Sequence, residues 1–371
     1  MVSSPLSPRP IPLLTPELPG TGGAARVSEE DFRVEELPLY PASGDGDHLF
    51  VTVEKTGRTT QEVAQELGRA LLVAGRDVGC AGLKDKRAVT VQRLSLPLPR
   101  GSAGPQALEK AEAFRARALA ASGPGWKVLA AERHGNKLRT GHLAGNRFTI
   151  VLRGCGPEAP ARAQAVLARL RELGPANLFG PQRFGRRGDN ADLGAAILRR
   201  APEAAQASRD RFLRKLALSA LQAELFNRNL AARIADGLFS TALPGDVLKK
   251  RDSGGLFTCR DPAVDLPRLL RGEVDSTGPL PGRTPSLAEG EVALREAVVL
   301  QEARLDPALF SDAAGGELEG TRRPYRIPLV DAALEEAGPG ALALRFSLPP
   351  GSFALAVLRE VVKDGQHPDV E

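Results

Sequence analysis

The sequence predicts an α+β fold in which a strand-rich domain is interrupted by a helix-rich α+β insertion. Three observations carry that expectation. Strand patterns occur at both ends of the chain, helical patterns fill much of the stretch between, and 371 residues exceed one ordinary core. Two domains of about 100–200 residues each suit that length.

The first thirty residues hold Ser-Pro, Arg-Pro, Thr-Pro and Leu-Pro steps, which favour extended backbone. They read as a disordered, Pro-rich lead-in at 1–30 and not as a signal peptide, since no charged start precedes an apolar run. Residues 31–37 alternate in character and read as a short strand, followed by a turn at Gly44-Asp45-Gly46-Asp47. His48–Lys55 (HLFVTVEK) is rich in β-branched residues and reads as a strand. Thr59 or Thr60 caps a helix through Leu72, with Val63, Leu67 and Leu71 on one face. Val89–Leu98 is strand-like, and the Ala-rich stretch 100–122 reads as a charged helix or insertion. Trp126–Arg133 and Arg147–Arg153 are strands around a basic, Gly-containing loop. Pro160–Leu173 is an amphipathic helix, Asp210–Leu238 one long helix, Gly272–Pro285 a Gly/Pro-rich loop and Ala288–Leu305 a further helix. A strand at Ala341–Leu348 and a helix at Phe353–Lys363 close the pattern.

Composition is that of an ordinary globular chain, 42% hydrophobic and 26% charged. A net charge of +5 permits nucleic-acid binding without demanding it. Its distribution says more. Residues 133–153 carry Arg133, Lys137, Arg139, Arg147 and Arg153 and no acid, whereas 289–319 is acid-rich. Cys80, Cys155 and Cys259 are far apart and read as free thiols of a reducing cytosol. Neither the cysteines nor the four histidines have metal-ligand spacing, so no metal is expected. No apolar run approaches the ~18 residues of a membrane span. A nucleotide-metabolism enzyme lacks support, because neither GxxxxGK[ST] nor a GxGxxG after a strand is present.

The stretch Gly82-Leu83-Lys84-Asp85-Lys86-Arg87-Ala88-Val89-Thr90-Val91-Gln92 places one carboxylate, Asp85, among three cations. Nearby positive charge favours the ionised form that a nucleophile needs, and the same cations suit phosphates. From charge pattern alone a solvated charged turn is the commoner reading. Gly145-Asn146-Arg147-Phe148 puts a hydrogen-bonding and a stacking side chain at the start of a strand. An extruded base needs both, although a turn Asn and a first core Phe would read alike. In residues 177–190 Arg183, Arg186 and Arg187 interleave with Phe179 and Phe184. That suits RNA, or a packed loop with Arg paired to Asp189 or Asp192. Phe353 follows a Gly/Ser turn and either presents its ring to a pocket or anchors a helix. Phe32-Arg33-Val34-Glu35-Glu36 is explained by an edge strand with a hydrophobic staple.

Together these segments resemble the TruD-type tRNA pseudouridine synthases. The family's GxKDxxAxTxQ motif is matched by Gly82, Lys84, Asp85, Ala88, Thr90 and Gln92, and its FxVxE start by Phe32, Val34 and Glu36. Its GNxF segment is matched by Gly145, Asn146 and Phe148, its NxFGxQRFG segment by Asn177, Phe179, Gly180 and Gln182–Gly185, and its GSFA segment by Gly351–Ala354. The five motifs run in order over nearly the whole chain. One departure is visible: Leu178 stands where bacterial members usually carry Tyr, which removes a phenolic hydrogen bond.

The resemblance implies a catalytic domain with a mixed, largely antiparallel sheet, at 31–174 plus 321–371, and an insertion domain at 175–320. It implies isomerisation of uridine to pseudouridine, at uridine 13 of the D-arm of tRNA, with Asp85 as nucleophile and no cofactor. Phe148 and Phe353 would enclose the uracil, Asn146 would hold its edge or the loop, and Phe32, Lys84 and Gln92 would complete the substrate site. Lys84, Lys137, Arg139, Arg147, Arg183 and Arg187 would hold the RNA. A cytoplasmic monomer with tRNA as partner is expected. The rivals are a non-catalytic RNA-binding or tRNA-folding protein, and the same isomerase acting on another RNA.

Overall fold

The structure is a computed structural model that describes residue 6 and residues 10–99, 105–283, 286–312 and 318–363. The expectations for 1–5, 7–9, 100–104 and 284–285 therefore lie outside the described residues.

The first part of the chain runs β1 (Ala24–Ala25), β2 (Phe32–Pro38), β3 (His48–Lys55), α1 (Thr60–Leu71), β4 (Gly79–Cys80), β5 (Val89–Pro97), α2 (Pro105–Leu119), β6 (Ser122–Gly123), β7 (Trp126–His134), β8 (Leu143–Arg153) and α3 (Ala159–Leu173). The middle comprises α4 (Asn190–Leu198), α5 (Ala205–Arg209), α6 (Arg211–Ala235), β9 (Val247–Lys250), β10 (Leu256–Thr258), α7 (Pro262–Leu270), β11 (Val274–Leu280), α8 (Gly290–Glu302), α9 (Ala308–Asp312) and β12 (Thr321–Pro324). The chain then returns with β13 (Val330–Glu336), β14 (Ala341–Leu348) and α10 (Leu355–Val362).

A ten-stranded mixed sheet in the order β13-β14-β8-β2-β5-β3-β7-β6 forms the first lobe, with β1 added to β8 and β4 to β5. Among the described residues only its β2–β5 pairing is parallel. The returning strand β14 pairs with β8 along its length, Phe346 opposite Phe148, so residues far apart in sequence complete one sheet. Phe32, Val34, Phe148, Ile150, Leu344 and Phe346 alternate inward and bury one face under α3 and α10. Leu49, Val51 and Val53 pack with Val63, Leu67 and Leu71 of α1, the apolar stripe that the spacing predicts. Thr59 caps α1 in a reciprocal capping box with Glu62.

Three expectations need correction. Residues 10–25 are not a disordered lead-in. Their backbone amides and hydroxyl at Leu14 and Thr15 donate to the buried carboxylate of Glu360 at 2.9–3.1 Å. Ala24–Ala25 then adds to β8. Proline steps enforce extension, and an extended segment with buried acceptors to satisfy it is ordered. Phe32–Pro38 is not an edge strand but lies between β8 and β5. Residues 274–280, read as loop, form β11, whose polar residues are buried because Asp275 is paired with Arg251 and Arg326.

In the second lobe a four-stranded sheet, β10-β9-β11-β12, packs beside α6. Because β12 belongs to this sheet, the boundary expected at 320 moves past Pro324. Asp210 caps α6 by accepting from the Phe212 and Leu213 amides at 2.9 and 3.0 Å. Leu221, Leu225, Phe226 and Leu230 of α6 are fully buried.

Candidate active site

A cleft of about 400 Å³ opens between the inner face of the first sheet, α10 and the segment Gly180–Arg183. That volume suits a small-molecule or nucleoside-sized group. Asp85 is its only acidic lining residue among the described residues. The carboxylate projects from the loop before β5 and is 40% exposed.

Two cations organise Asp85, and neither is its sequence neighbour. Arg26 Nη2 donates to Asp85 Oδ2 at 3.1 Å, while its guanidinium lies 3.7 Å from the centroid of the Phe32 ring. Arg26 has φ of +59°, a left-handed conformation uncommon for a non-glycine residue and one met at functional sites. Burial disfavours its charge, and Asp85 offsets that. Lys55 is 1% exposed and donates from Nζ to the Asp85 carbonyl at 2.8 Å. Burial lowers its ammonium pKa to about 8, against the opposing attraction of Asp85. Lys55 was missed, yet a signal existed: it occupies an inward position of an alternating strand, two residues beyond Val53. Arg26 had none, since it falls in the segment read as disordered.

The neighbours expected to serve substrate do other work. Lys84 lines the cleft as expected, and its Nζ makes an ion pair with Glu36 at 2.8 Å in which both side chains are buried. Glu36 Oε2 has no aligned hydrogen-bond donor, so the contact is one of charge. Within the protein its charge is thus matched by Glu36. Gln92 does not line the cleft. Its Oε1 accepts from Thr60 Oγ1 at 2.8 Å, and that hydroxyl accepts from the Lys84 amide at 3.0 Å. Gln92 therefore ties the Asp85 loop to the start of α1 as a positioning residue.

Phe32, Phe148, Asn146, Phe353 and Arg183 do converge on the cleft. Phe148 is 6% exposed, stacked on Phe346 at 5.5 Å and edge-on to Phe32 at 6.2 Å. It is a core ring that also forms the cleft floor. Phe353 is 38% exposed, so it lines the cleft and does not anchor its helix in the core. Gly351 before it has φ of +75°, which a side chain rarely adopts. Asn146 has a buried Oδ1 with no partner. Gly145 before it admits the Leu348 carbonyl, which a Cβ would meet at 2.4 Å.

Lys137, Arg139, Arg147 and Arg187 do not line the cleft. Lys137 donates to the Arg76 carbonyl at 3.1 Å, Arg147 pairs with Glu35, and Arg187 pairs with Asp189. Arg139 is exposed. Leu178 is buried beside Phe226 and Tyr325, an apolar setting that suits its missing hydroxyl. Among the described residues no His/Cys/Asp/Glu group could hold a metal ion, and no helix is long and apolar enough to cross a membrane.

A nucleoside-sized cleft with one organised carboxylate, aromatic walls and an unfilled amide holds the groups that a base-modifying enzyme needs. The profile of tRNA pseudouridine synthase D (TruD) matches residues 11–209 and 203–361, and the chain belongs to that family. A tRNA pseudouridine synthase D of Anaeromyxobacter sp. (strain Fw109-5) is 52% identical over 95% of this chain and 96% of its own length. One of Thermus thermophilus is 43% identical over 96% and 93%. A solved structure from Methanosarcina mazei with the same family description superimposes with a TM-score of 0.73 at 24% identity. It covers 96% of this chain and 97% of its own, a likeness of fold.

Proposed function

We propose that this protein converts uridine 13 in the D-arm of tRNA to pseudouridine in the cytoplasm, with Asp85 as nucleophile. The observation that carries the reading is Asp85 itself, the only acidic group lining the cleft among the described residues, held by Arg26 and Lys55. Family membership supports the choice of tRNA, and uridine 13 of the D-arm is what the resemblance of the motifs implies.

The target base leaves the stack, at a cost of a few kcal/mol, and enters between the Phe148 floor and Phe353. Asn146 holds its edge: the amide accepts from the uracil N3–H through Oδ1 or, turned over, donates to a uracil carbonyl. On one path an Asp85 oxygen bonds to C1′ as the N1–C1′ bond breaks and its electron pair passes to N1. The freed uracil turns, C5 bonds to C1′ as the Asp85 ester opens, C5 loses its proton and N1 gains one. On the glycal-type path Asp85 instead removes the C2′ proton, and that C–H electron pair forms a C1′=C2′ bond as the N1–C1′ bond breaks and its pair passes to N1. After the uracil turns, C5 bonds to C1′ as C2′ takes the proton back, and C5 loses its proton while N1 gains one. Both need the carboxylate, to which Arg26 donates.

Asp85→Asn tests the reading. Carbodiimide–primer-extension mapping on a tRNA transcript should show pseudouridine at position 13 with the wild type. The variant should lose at least ~10³-fold in rate while still binding tRNA. A substantially active Asp85→Asn removes the nucleophile assignment. A wild type that binds tRNA without modifying it points to a binding protein, and modification elsewhere points to another RNA target.

A further inference from the structure

We infer that Arg183 and Arg323 form a clamp for the phosphodiester backbone of the RNA beside the nucleotide held in the cleft. The inference rests on the RNA-substrate reading above and adds a binding site to it.

The two arginines come from opposite ends of the second lobe, Arg183 from the 3-10 turn Pro181–Phe184 and Arg323 from β12. They meet at the Phe179 ring, with guanidiniums 5.7 and 4.2 Å from its centroid. Asn227 of α6 fixes that ring's backbone on both sides, accepting from the Phe179 amide and donating to its carbonyl, each at 2.9 Å. Arg323 also donates to the Asn177 carbonyl at 3.2 Å, to Asn177 Oδ1 and to the Gly351 carbonyl at 3.1 Å. Arg183 donates to Ser219 Oγ.

No carboxylate pairs with either guanidinium among the described residues. Burial works against the charge of both, and the charge of Arg183 works further against that of Arg323, whose pKa is lowered to about 10. Arg183 Nε is buried and has no acceptor. Two like charges and an unfilled buried donor cost stability unless an anion completes the set. Arg183 lines the same cleft as Asp85, and so does Gly351, which accepts from Arg323. Guanidinium forks match phosphate oxygens, and the stacked ring keeps them oriented. The cleft's other cations, Arg26 and Lys84, are each paired with a carboxylate of the protein.

The test is the salt dependence of binding to an unmodified tRNA transcript, from about 50 to about 200 mM KCl. R183Q and R323Q should each weaken binding and lower the log–log salt slope by about 0.7–0.9, one phosphate contact. R323K keeps the charge and should keep the slope while losing affinity with the fork. R323Q also severs the ties to Asn177 and Gly351, so R183Q keeps the test decisive if R323Q unfolds. R183Q should melt at or above the wild-type temperature, because it removes an unpaired buried charge. A purely structural pair would instead give R183Q a lower melting temperature and an unchanged slope, and that outcome overturns the clamp. Pseudouridine formation by the wild type judges the functional reading separately, since the slope decides the clamp whether or not the transcript is modified.

Discussion

The two ends of the cleft treat positive charge differently. At the Asp85 end three cations have partners inside the protein: Arg26 has the carboxylate, Lys55 has the Asp85 carbonyl, and Lys84 has Glu36. At the Phe179 end Arg183 and Arg323 face carbonyls, a hydroxyl and a ring but, among the described residues, no carboxylate. The first end is a set of groups already balanced around its own anion. The second is a set of donors whose charge is unmatched until something negative arrives. Reaction chemistry suits the balanced end, where geometry must exist before substrate does. Capture of a polyanion suits the unbalanced one.

Between the two ends lies Phe148, and its replacement has the largest expected effect on stability. The sequence reading treats it as a stacking ring, but the fold places it between Phe346 and Phe32 with 6% exposure. Phe148→Ala should therefore cost about 3–5 kcal/mol of stability in urea unfolding. Phe148→Leu keeps most of the volume and removes the π-face. In single-turnover assays it should lose the ~1–3 kcal/mol of a base–aromatic stack if the ring meets the uracil. A normal rate in a stable Phe148→Leu would assign the ring to the core alone.

At the balanced end Lys55 carries a stability cost that can be read against pH. Its folded pKa, about 8, lies below the 10.5 of an exposed lysine because burial disfavours the ammonium. Below about pH 8 both folded and unfolded chains carry the proton, and the fold bears the full penalty, on the order of 3 kcal/mol. Between about 8 and 10.5 the unfolded chain binds more protons, so this group's contribution to stability rises with pH. Lys55→Met should thus stabilise the protein at pH 7 by about 1–3 kcal/mol, net of the missing bond to Asp85. That gain should vanish by about pH 10.5, and turnover should fall at every pH. Thermal melts across that range check it, and a variant less stable than wild type at pH 7 would make Lys55 a structural prop.

Why the sequence shows one end better than the other follows from where the parts lie. His48–Lys55, the α1 cap and Ala341–Leu348 are legible because alternation and capping are local. Asp85, Asn146, Phe148 and Phe353 are legible because each sits in a short motif. Arg26 and Lys55 reach Asp85 from 59 and 30 residues away, and that proximity is a product of sheet order. β11 reads as loop because Gly and Pro punctuate Gly272–Pro285, and its polar residues are buried with Asp275 paired to arginines that other segments bring. Arg323 sits in a Thr-Arg-Arg-Pro run that local pattern cannot distinguish from a charged surface strand.

The smallest expected effect tests whether charge outside the cleft shares the work of the unbalanced end. Lys137 and Arg139 stand in the basic loop, but Lys137 is tied to the Arg76 carbonyl and neither lines the cleft. A phosphate they meet would be one bound on the open surface, where salt screens the contact. The Lys137→Ala, Arg139→Ala double variant should still lower the salt slope of tRNA binding, by about 0.9 or less for each phosphate no longer held. It should leave single-turnover chemistry intact, whereas R183Q weakens the hold on the strand beside the reacting nucleotide. A slope unchanged by the double variant would confine the electrostatic grip to the Phe179 end. A double variant that slows the chemical step would place the basic loop nearer the reacting uridine than the fold does.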